Sequence, residues 1–207
     1  MTTPSLQAAG LAGSAAGRRL FAPVDFTLQG GAALRIAGPN GIGKTHLLRL
    51  LCGLGRPDAG AIFWQGQPIG SVRERYLASL AYVGHADALN DHLNCWENLA
   101  FGRPGAGCGR AAAIAALKRF EMDGKAGLPV RALSRGQRRR VALARLALAL
   151  DRPLWLLDEP FGALDEAAQQ ALTGLLERHR RDGGIVVYTT HQSPLLSSAA
   201  TVSLEAA

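Results

Sequence analysis

Gly38-Pro39-Asn40-Gly41-Ile42-Gly43-Lys44-Thr45 satisfies G-x-x-x-x-G-K-[ST] at every fixed position, the pattern of a loop that cradles phosphate. Its flanks are the ones such a loop needs. Leu34, Ile36 and Ala37 read as a short buried strand before it. After it, Leu47, Leu48, Leu50, Leu51 and Leu54 recur at helical spacing, with Gly53 and Gly55 available as a stop. Glycines let backbone N–H groups turn inward on phosphate oxygens, and the following helix aims the positive end of its dipole at them. The run from Gly38 to His46 is therefore read as nucleotide-binding. Lys44 reaches the β and γ phosphates of ATP or GTP, and the Thr45 hydroxyl faces Mg²⁺. His46 is included only by its place in the run; by itself it reads, like His92 and His179, as a surface residue.

The chain has 207 residues, enough for one α/β domain with a sizeable core, so residues 1–207 are read as a single domain. Lys and Arg number 23 against 16 Asp and Glu, a formal charge of +7 that suits nucleic acid, an anionic membrane surface or phosphate ligands. The longest apolar run, 141–157, is broken by Arg145, Asp151, Arg152 and Pro153, so no membrane span is expected. The opening residues lack a basic start and a strong apolar stretch, so no export signal is expected either. Cys52, Cys95 and Cys108 are too far apart for a zinc site and suggest no disulfide framework, which fits a reducing, cytoplasmic setting.

Little pattern precedes Arg18, after which Val24, Phe26 and Leu28 alternate as in a strand. Residues 56–60 read as a turn, 61–64 as a strand turning at Gln65-Gly66 into a hairpin, and Leu80 to Val83 as another strand running into Gly84-His85. From about 86 to 150 the pattern becomes helical. Asn94 and Glu97 are spaced as a capping box, 111–120 is a second helix, and a third runs from Gly136 to Leu150. Leu154 to Leu157 is apolar throughout, as in a strand buried on both faces of a parallel sheet, and ends at Asp158-Glu159. A helix from Asp165 to Arg181 stops at Gly183-Gly184, and the strand Ile185 to Tyr188 ends at Thr189-Thr190-His191. Parallel sheets gather ligand groups at the carboxyl ends of their strands, and three such ends carry the glycine loop, Asp158-Glu159 and His191.

Asp158, placed directly after a buried strand, resembles the Walker B aspartate that holds Mg²⁺. Glu159, one residue on, points elsewhere and suits a general base for the attacking water. Leu133-Ser134-Arg135-Gly136-Gln137 resembles the LSGGQ signature of ABC transporter ATPases, with Arg135 in place of the first glycine. The resemblance implies a P-loop NTPase fold: a RecA-like parallel core, an antiparallel β subdomain and a helical insertion. It also implies a homodimer in which Ser134, Arg135, Gly136 and Gln137 face the ATP of the second nucleotide-binding subunit. Ala163-Leu164-Asp165 resembles the D-loop that contacts the opposite chain, and His191 the switch histidine at the γ-phosphate. Most of the family has glutamine where this chain has His85, a position tied to Mg²⁺ and to coupling with a separate transmembrane permease. The aromatic residue that stacks on adenine is missing near Ala15 and Ala16, and Phe21 is the substitute considered.

The Gly-His at 84–85, Arg18-Arg19-Leu20-Phe21, the segment 53–60 and Thr-Thr-His-Gln at 189–192 are similar to the ATP-binding subunits of cytochrome c biogenesis haem exporters. That branch implies ATP hydrolysis at the cytoplasmic face of the inner membrane, with haem bound by other chains: no Cys-x-x-Cys-His occurs here. The 86–102 segment and Arg103 are expected to face the membrane partner. The competing readings are the ATPase of another small ABC exporter, a soluble ABC ATPase on nucleic acid, suggested by the +7 charge and by Arg138, Arg139, Arg140 and Arg145, and a nucleotide-binding regulator without turnover. The chain has neither the second cassette nor the long coiled-coil insert usual in the second of these, so no nucleic-acid partner is expected.

Overall fold

The computed structural model describes residues 3–15, 17–101, 108–190, 196 and 199–206. In chain order these form β1 (Ser5–Ala12), β2 (Ser14–Ala15), β3 (Arg18–Arg19), β4 (Val24–Gln29), β5 (Ala33–Ala37), α1 (Lys44–Leu51), β6 (Ala59–Trp64), β7 (Gln67–Pro68), α2 (Arg73–Ser79) and β8 (Leu80–Val83). There follow α3 (Cys95–Phe101), α4 (Arg110–Lys118), α5 (Arg135–Ala144), β9 (Leu154–Leu157), α6 (Glu166–Arg181), β10 (Ile185–Thr189) and β11 (Ala200–Ser203). They divide into two compact units, one of residues 1–85, 151–160 and 176–207, the other of 86–150 and 161–175.

The first unit holds a parallel sheet in the order β11-β5-β10-β9-β8. Every residue of β9 and β10 is buried, which is why both read as unbroken apolar runs rather than alternating ones. Leu34, Ile36, Leu47, Leu51, Leu156 and Val187 share one core with Leu6, Leu11 and Trp64 of a second, antiparallel sheet. Between β5 and α1 the chain turns through Gly43, whose φ of 108° few other residues adopt. Helix α1 closes on a Schellman motif: Gly53 (φ 68°) donates to the Leu50 carbonyl at 2.9 Å and Leu54 to that of Arg49 at 3.0 Å.

The antiparallel sheet runs β4-β1-β6-β7. Its central strand β1 lies in the stretch where the sequence shows little pattern. Ser5 to Ala12 is rich in Ala and Gly and has weak intrinsic strand preference, and pairing on both edges decides its conformation. A bulge between Ala8 and Leu11 lets Gly60 approach so closely that a Cβ there would sit 2.3 Å from the Ala9 and Gly10 carbonyl oxygens. The β6–β7 hairpin turns through Gln65 (φ 50°) and Gly66 (φ 76°), the positive pair of a type I′ turn. Helix α2, short and charged with only Tyr76 buried, and edge strand β11 are two further elements the pattern did not announce. His179, expected at the surface, is 3 % exposed and stacks on Trp155 at 3.8 Å and 5° between ring planes.

In the second unit α3, α4 and α5 bury Leu99, Ala116, Leu117, Val141 and Leu146. Glu97 Oε2 accepts from the Asn94 N–H at 2.7 Å, one half of the expected capping box. Asn98, 4 % exposed, donates to the carbonyls of Asn90, Leu93 and Asn94 and accepts from the Asn90 N–H at 2.7 Å, knotting the loop before α3. The helix expected to reach Leu150 ends at Ala144 and tightens into a 3-10 turn, Arg145–Leu148.

Candidate functional site

Strands β5, β8, β9 and β10 all end at one edge of the parallel sheet. Outside it opens a cavity of about 460 Å³, within the range of small-ligand sites, lined by Gly41, Gly43, Lys44, Thr45, His85 and Glu159 among others. Lys44 is 7 % exposed, and its ammonium donates to the carbonyls of Gly38 at 2.8 Å and Pro39 at 3.1 Å, so the loop arches around it. Gly38 (φ 141°) and Gly41 (φ 79°) hold the arch, and Asn40 also lines the cavity. The Ile42 N–H closes a turn on the Pro39 carbonyl at 3.4 Å. A Cβ at Gly43 would fall 2.9 Å from the Phe21 ring, so glycine is required there by contact as well as by φ. His46 is half-buried at the cavity, its ring tilted against Phe21 with centroids 6.5 Å apart.

Phe21 itself is fully buried in the core and offers no face to a base, which corrects its expected role; Ala15 and Leu20 line that side of the cavity instead. His85 is exposed and lines the cavity from the end of β8. His191, Arg103 and Ala16 lie outside the described residues.

Asp158, 1 % exposed, follows β9 and is held from several directions. Thr45 Oγ1 donates to its Oδ2 at 2.8 Å, Thr189 Oγ1 donates to its Oδ1 at 2.8 Å, and its own N–H donates to the Val83 carbonyl at 2.8 Å. Glu159 turns away with φ 47°, left-handed backbone that costs a non-glycine residue on the order of 1–2 kcal/mol and is tolerated where neighbours over-determine it. Its N–H donates to Thr189 Oγ1 at 2.8 Å. Beneath them the Cys52 thiol is pushed up to about 12 by burial and then by the negative Asp158, which makes it unreactive. An oxygen-rich group of hydroxyl and carboxylate beside a lysine-centred anion cradle has the chemistry to hold a hard divalent cation and a polyphosphate together. Thr189 escaped the sequence reading because a threonine closing a β-branched run reads as an ordinary strand former.

In the second unit Ser134 caps α5 reciprocally: its hydroxyl accepts from Gln137 N–H at 3.3 Å and its N–H donates to Gln137 Oε1 at 3.1 Å. Ser134 and Arg135 are exposed at this helix start. A Cβ on Gly136 would lie 2.9 Å from the Ala163 carbonyl oxygen, so the segment before α6 packs directly on the signature. Asp165 caps α6 through the Ala168 N–H at 3.0 Å and pairs with Arg140 of α5 through its other oxygen. Three more arginines are tied inside this unit: Arg138 of α5 to Asp91 at 2.7 Å, Arg139 of α5 to Asp87 at 3.1 Å, and Arg145, just past α5, to the carbonyls of Asp87 and Ala88. The basic run is therefore a set of structural ties rather than an open cationic stripe. Among the described residues no helix is long and apolar enough to cross a membrane.

Residues 21–162 match the family model described as ABC transporter. The cytochrome c biogenesis ATP-binding export protein CcmA of Aromatoleum aromaticum is 50 % identical over 97 % of this chain and 95 % of its own length. The protein of that name in Escherichia coli K12 is 49 % identical over 84 % of this chain and 83 % of its own. Among solved structures, the ATP-binding cassette MJ0796, a dimer bound to ADP and Pi, superposes with a TM-score of 0.83 at 26 % identity over 97 % of this chain and 94 % of that one. The matched segment runs from before the phosphate loop through Asp158-Glu159 and contains the signature. The chain thus belongs to the ABC transporter ATP-binding family, in the branch of the cytochrome c biogenesis ATP-binding export proteins.

Proposed function

We propose that this chain is the ATP-hydrolysing subunit of an ABC exporter that serves haem handling in c-type cytochrome biogenesis, working as one nucleotide-binding domain over residues 1–207. The observation that carries the reading is the convergence of Lys44, Thr45 and Glu159 on one cavity, with the buried Asp158 joined to it by the hydrogen bond it accepts from Thr45.

In this reading Gly38 to His46 wrap the ATP phosphates with backbone N–H groups, and the Lys44 ammonium exchanges its two loop carbonyls for phosphate oxygens. Thr45 and Asp158 would hold Mg²⁺, which would screen the charge on the transferring phosphoryl group. Glu159 accepts the proton of the attacking water, and His191 orients that water. His85 lines the same cavity, and what it would offer a cation there differs from a glutamine amide because an imidazole has one lone pair when neutral and none when protonated. Ser134, Arg135, Gly136 and Gln137, with Asp165, face the ATP of a second copy, so each site is completed by two chains. The capping box uses the Ser134 and Gln137 N–H groups, so phosphate would meet the exposed start of α5 at Arg135 and Gly136 or by displacing the cap. Separate transmembrane permease subunits receive the stroke, and the chain sits peripherally on the cytoplasmic face of the inner membrane.

The test is covalent haem in c-type cytochromes from cells lacking the gene and rescued with wild type or Glu159→Gln. Loss in the deletion with rescue by wild type alone is expected. Normal haem attachment in the deletion would remove the haem assignment and leave the ATPase reading to be placed with another permease.

A further inference from the structure

We infer that Thr189 is a positioning residue for ATP hydrolysis, whose single hydroxyl fixes both acidic residues of the site at once; the inference rests on the reading of Asp158 and Glu159 given above. Thr189 ends β10, the strand between β5 and β9. The parallel register pairs Tyr188 with Leu157 and Thr189 with Ile36, which places Thr189 alongside the Asp158 turn and in line with the strand that launches the phosphate loop. It is fully buried. Its Oγ1 accepts from the Glu159 N–H at 2.8 Å and donates to Asp158 Oδ1 at 2.8 Å.

These two bonds set each other's direction. A backbone N–H only donates, so the hydroxyl must take it on a lone pair. The hydroxyl has one hydrogen, and a carboxylate only accepts, so that hydrogen points to Oδ1. The consequence for Asp158 is that one oxygen is occupied by a fixed donor while the other, Oδ2, is turned to Thr45 at 2.8 Å, a residue that lines the cavity where the cation is expected. The consequence for Glu159 is that the N–H of a residue with left-handed backbone, φ 47°, is tied down, which fixes where its side chain leaves the strand end. One hydroxyl therefore sets the angle between the metal-side carboxylate and the water-side carboxylate. Valine has the same shape and can do neither.

The experiment uses the assembled transporter with its membrane subunits for turnover and the nucleotide-free full chain for hydrogen exchange. The variants are Thr189→Val, Thr189→Ala, Thr189→Ser and, in parallel, Glu159→Gln. Turnover is normalised to Mg-ATP-analogue sites so that any unfolded fraction drops out. Thr189→Val and Thr189→Ala are expected to lower kcat on the order of a hundredfold, the scale of a displacement near 1 Å in a reacting site, with KM within about threefold of wild type. The Glu159 amide should exchange at least about tenfold faster in both, and Thr189→Ser should restore turnover and protection alike. Turnover within about threefold of wild type in either Val or Ala overturns the inference, as does equal loss in Ser, which would mean that packing rather than the hydroxyl matters. Unchanged exchange at Glu159 overturns the geometry by itself. Glu159→Gln separates the two levels: if it abolishes turnover while Thr189→Val does not, the positioning role fails alone, and if it turns over normally, the reading of the site fails.

Discussion

Acidification should destabilise this protein through His179, a residue with no part in the chemistry. Its ring is 3 % exposed, lies flat on Trp155 at 3.8 Å, and its Nε2 has no hydrogen-bond partner among the described residues. Gly184 packs so tightly that a Cβ there would sit 2.1 Å from that nitrogen. Burial pulls the imidazole down from 6.5 to about 4, against a partial opposing pull from the backbone at Pro153 and Ile185 and the charge of Asp182. Above the unfolded value of 6.5 both states hold a neutral ring and the residue contributes no pH dependence. Below it the unfolded chain binds a proton that the folded chain refuses, so stability falls with pH through the window from 6.5 to about 4. Between pH 7.5 and 5 the loss amounts to about 2 kcal/mol, rising towards about 3 kcal/mol at lower pH. In a domain of this size that is a fall of about 4–8 °C in Tm from this residue. Other groups titrate too, so the quantity to measure is the difference between wild type and His179→Leu, by urea denaturation at pH 7.5 and 5. The variant should lose less stability on acidification by about 2 kcal/mol. Equal losses, within about 0.5 kcal/mol, would mean that the buried His179 ring does not set the acid response.

Two further substitutions test the second unit. Asn98→Leu strands the carbonyls of Asn90, Leu93 and Asn94 and the Asn90 N–H, and should cost about 2–4 kcal/mol with an unchanged denaturant slope; a cost under about 0.5 kcal/mol would show that water replaces the amide. Gly136→Ala pushes a methyl to 2.9 Å from the Ala163 carbonyl and should cost about 1–3 kcal/mol. ATP binding by the isolated chain should be intact while turnover of the assembled transporter falls about tenfold or more, and equal loss of both would contradict a partner-facing role for the signature.

Much of this was legible because the residues concerned leave their partners little choice. A glycine loop between an apolar strand and a leucine-spaced helix admits one arrangement, and Leu80 to Val83 and Leu154 to Leu157 form strands with the boundaries their apolar runs suggest. What was not legible depends on distant neighbours. Strand β1 exists because β4 and β6 pair with a run of Ala and Gly, and Phe21 is core because Gly43 packs on it. His179 is buried because Trp155 supplies a flat face from another strand. Arg138, Arg139, Arg140 and Arg145 suggested a nucleic-acid partner, but their carboxylate and carbonyl partners come from segments 20 to 58 residues away. Thr189 fits its strand by shape, and nothing in its neighbours along the chain marks a hydroxyl with two obligations.

If paired copies of this chain hydrolyse ATP with Glu159 as base, phosphate release and Mg-ATP retention by the assembled transporter will separate wild type from Glu159→Gln. The variant should retain Mg-ATP in a stable pair of nucleotide-binding subunits while turnover falls on the order of a hundredfold or more. Turnover within a few-fold of wild type would contradict that role for Glu159.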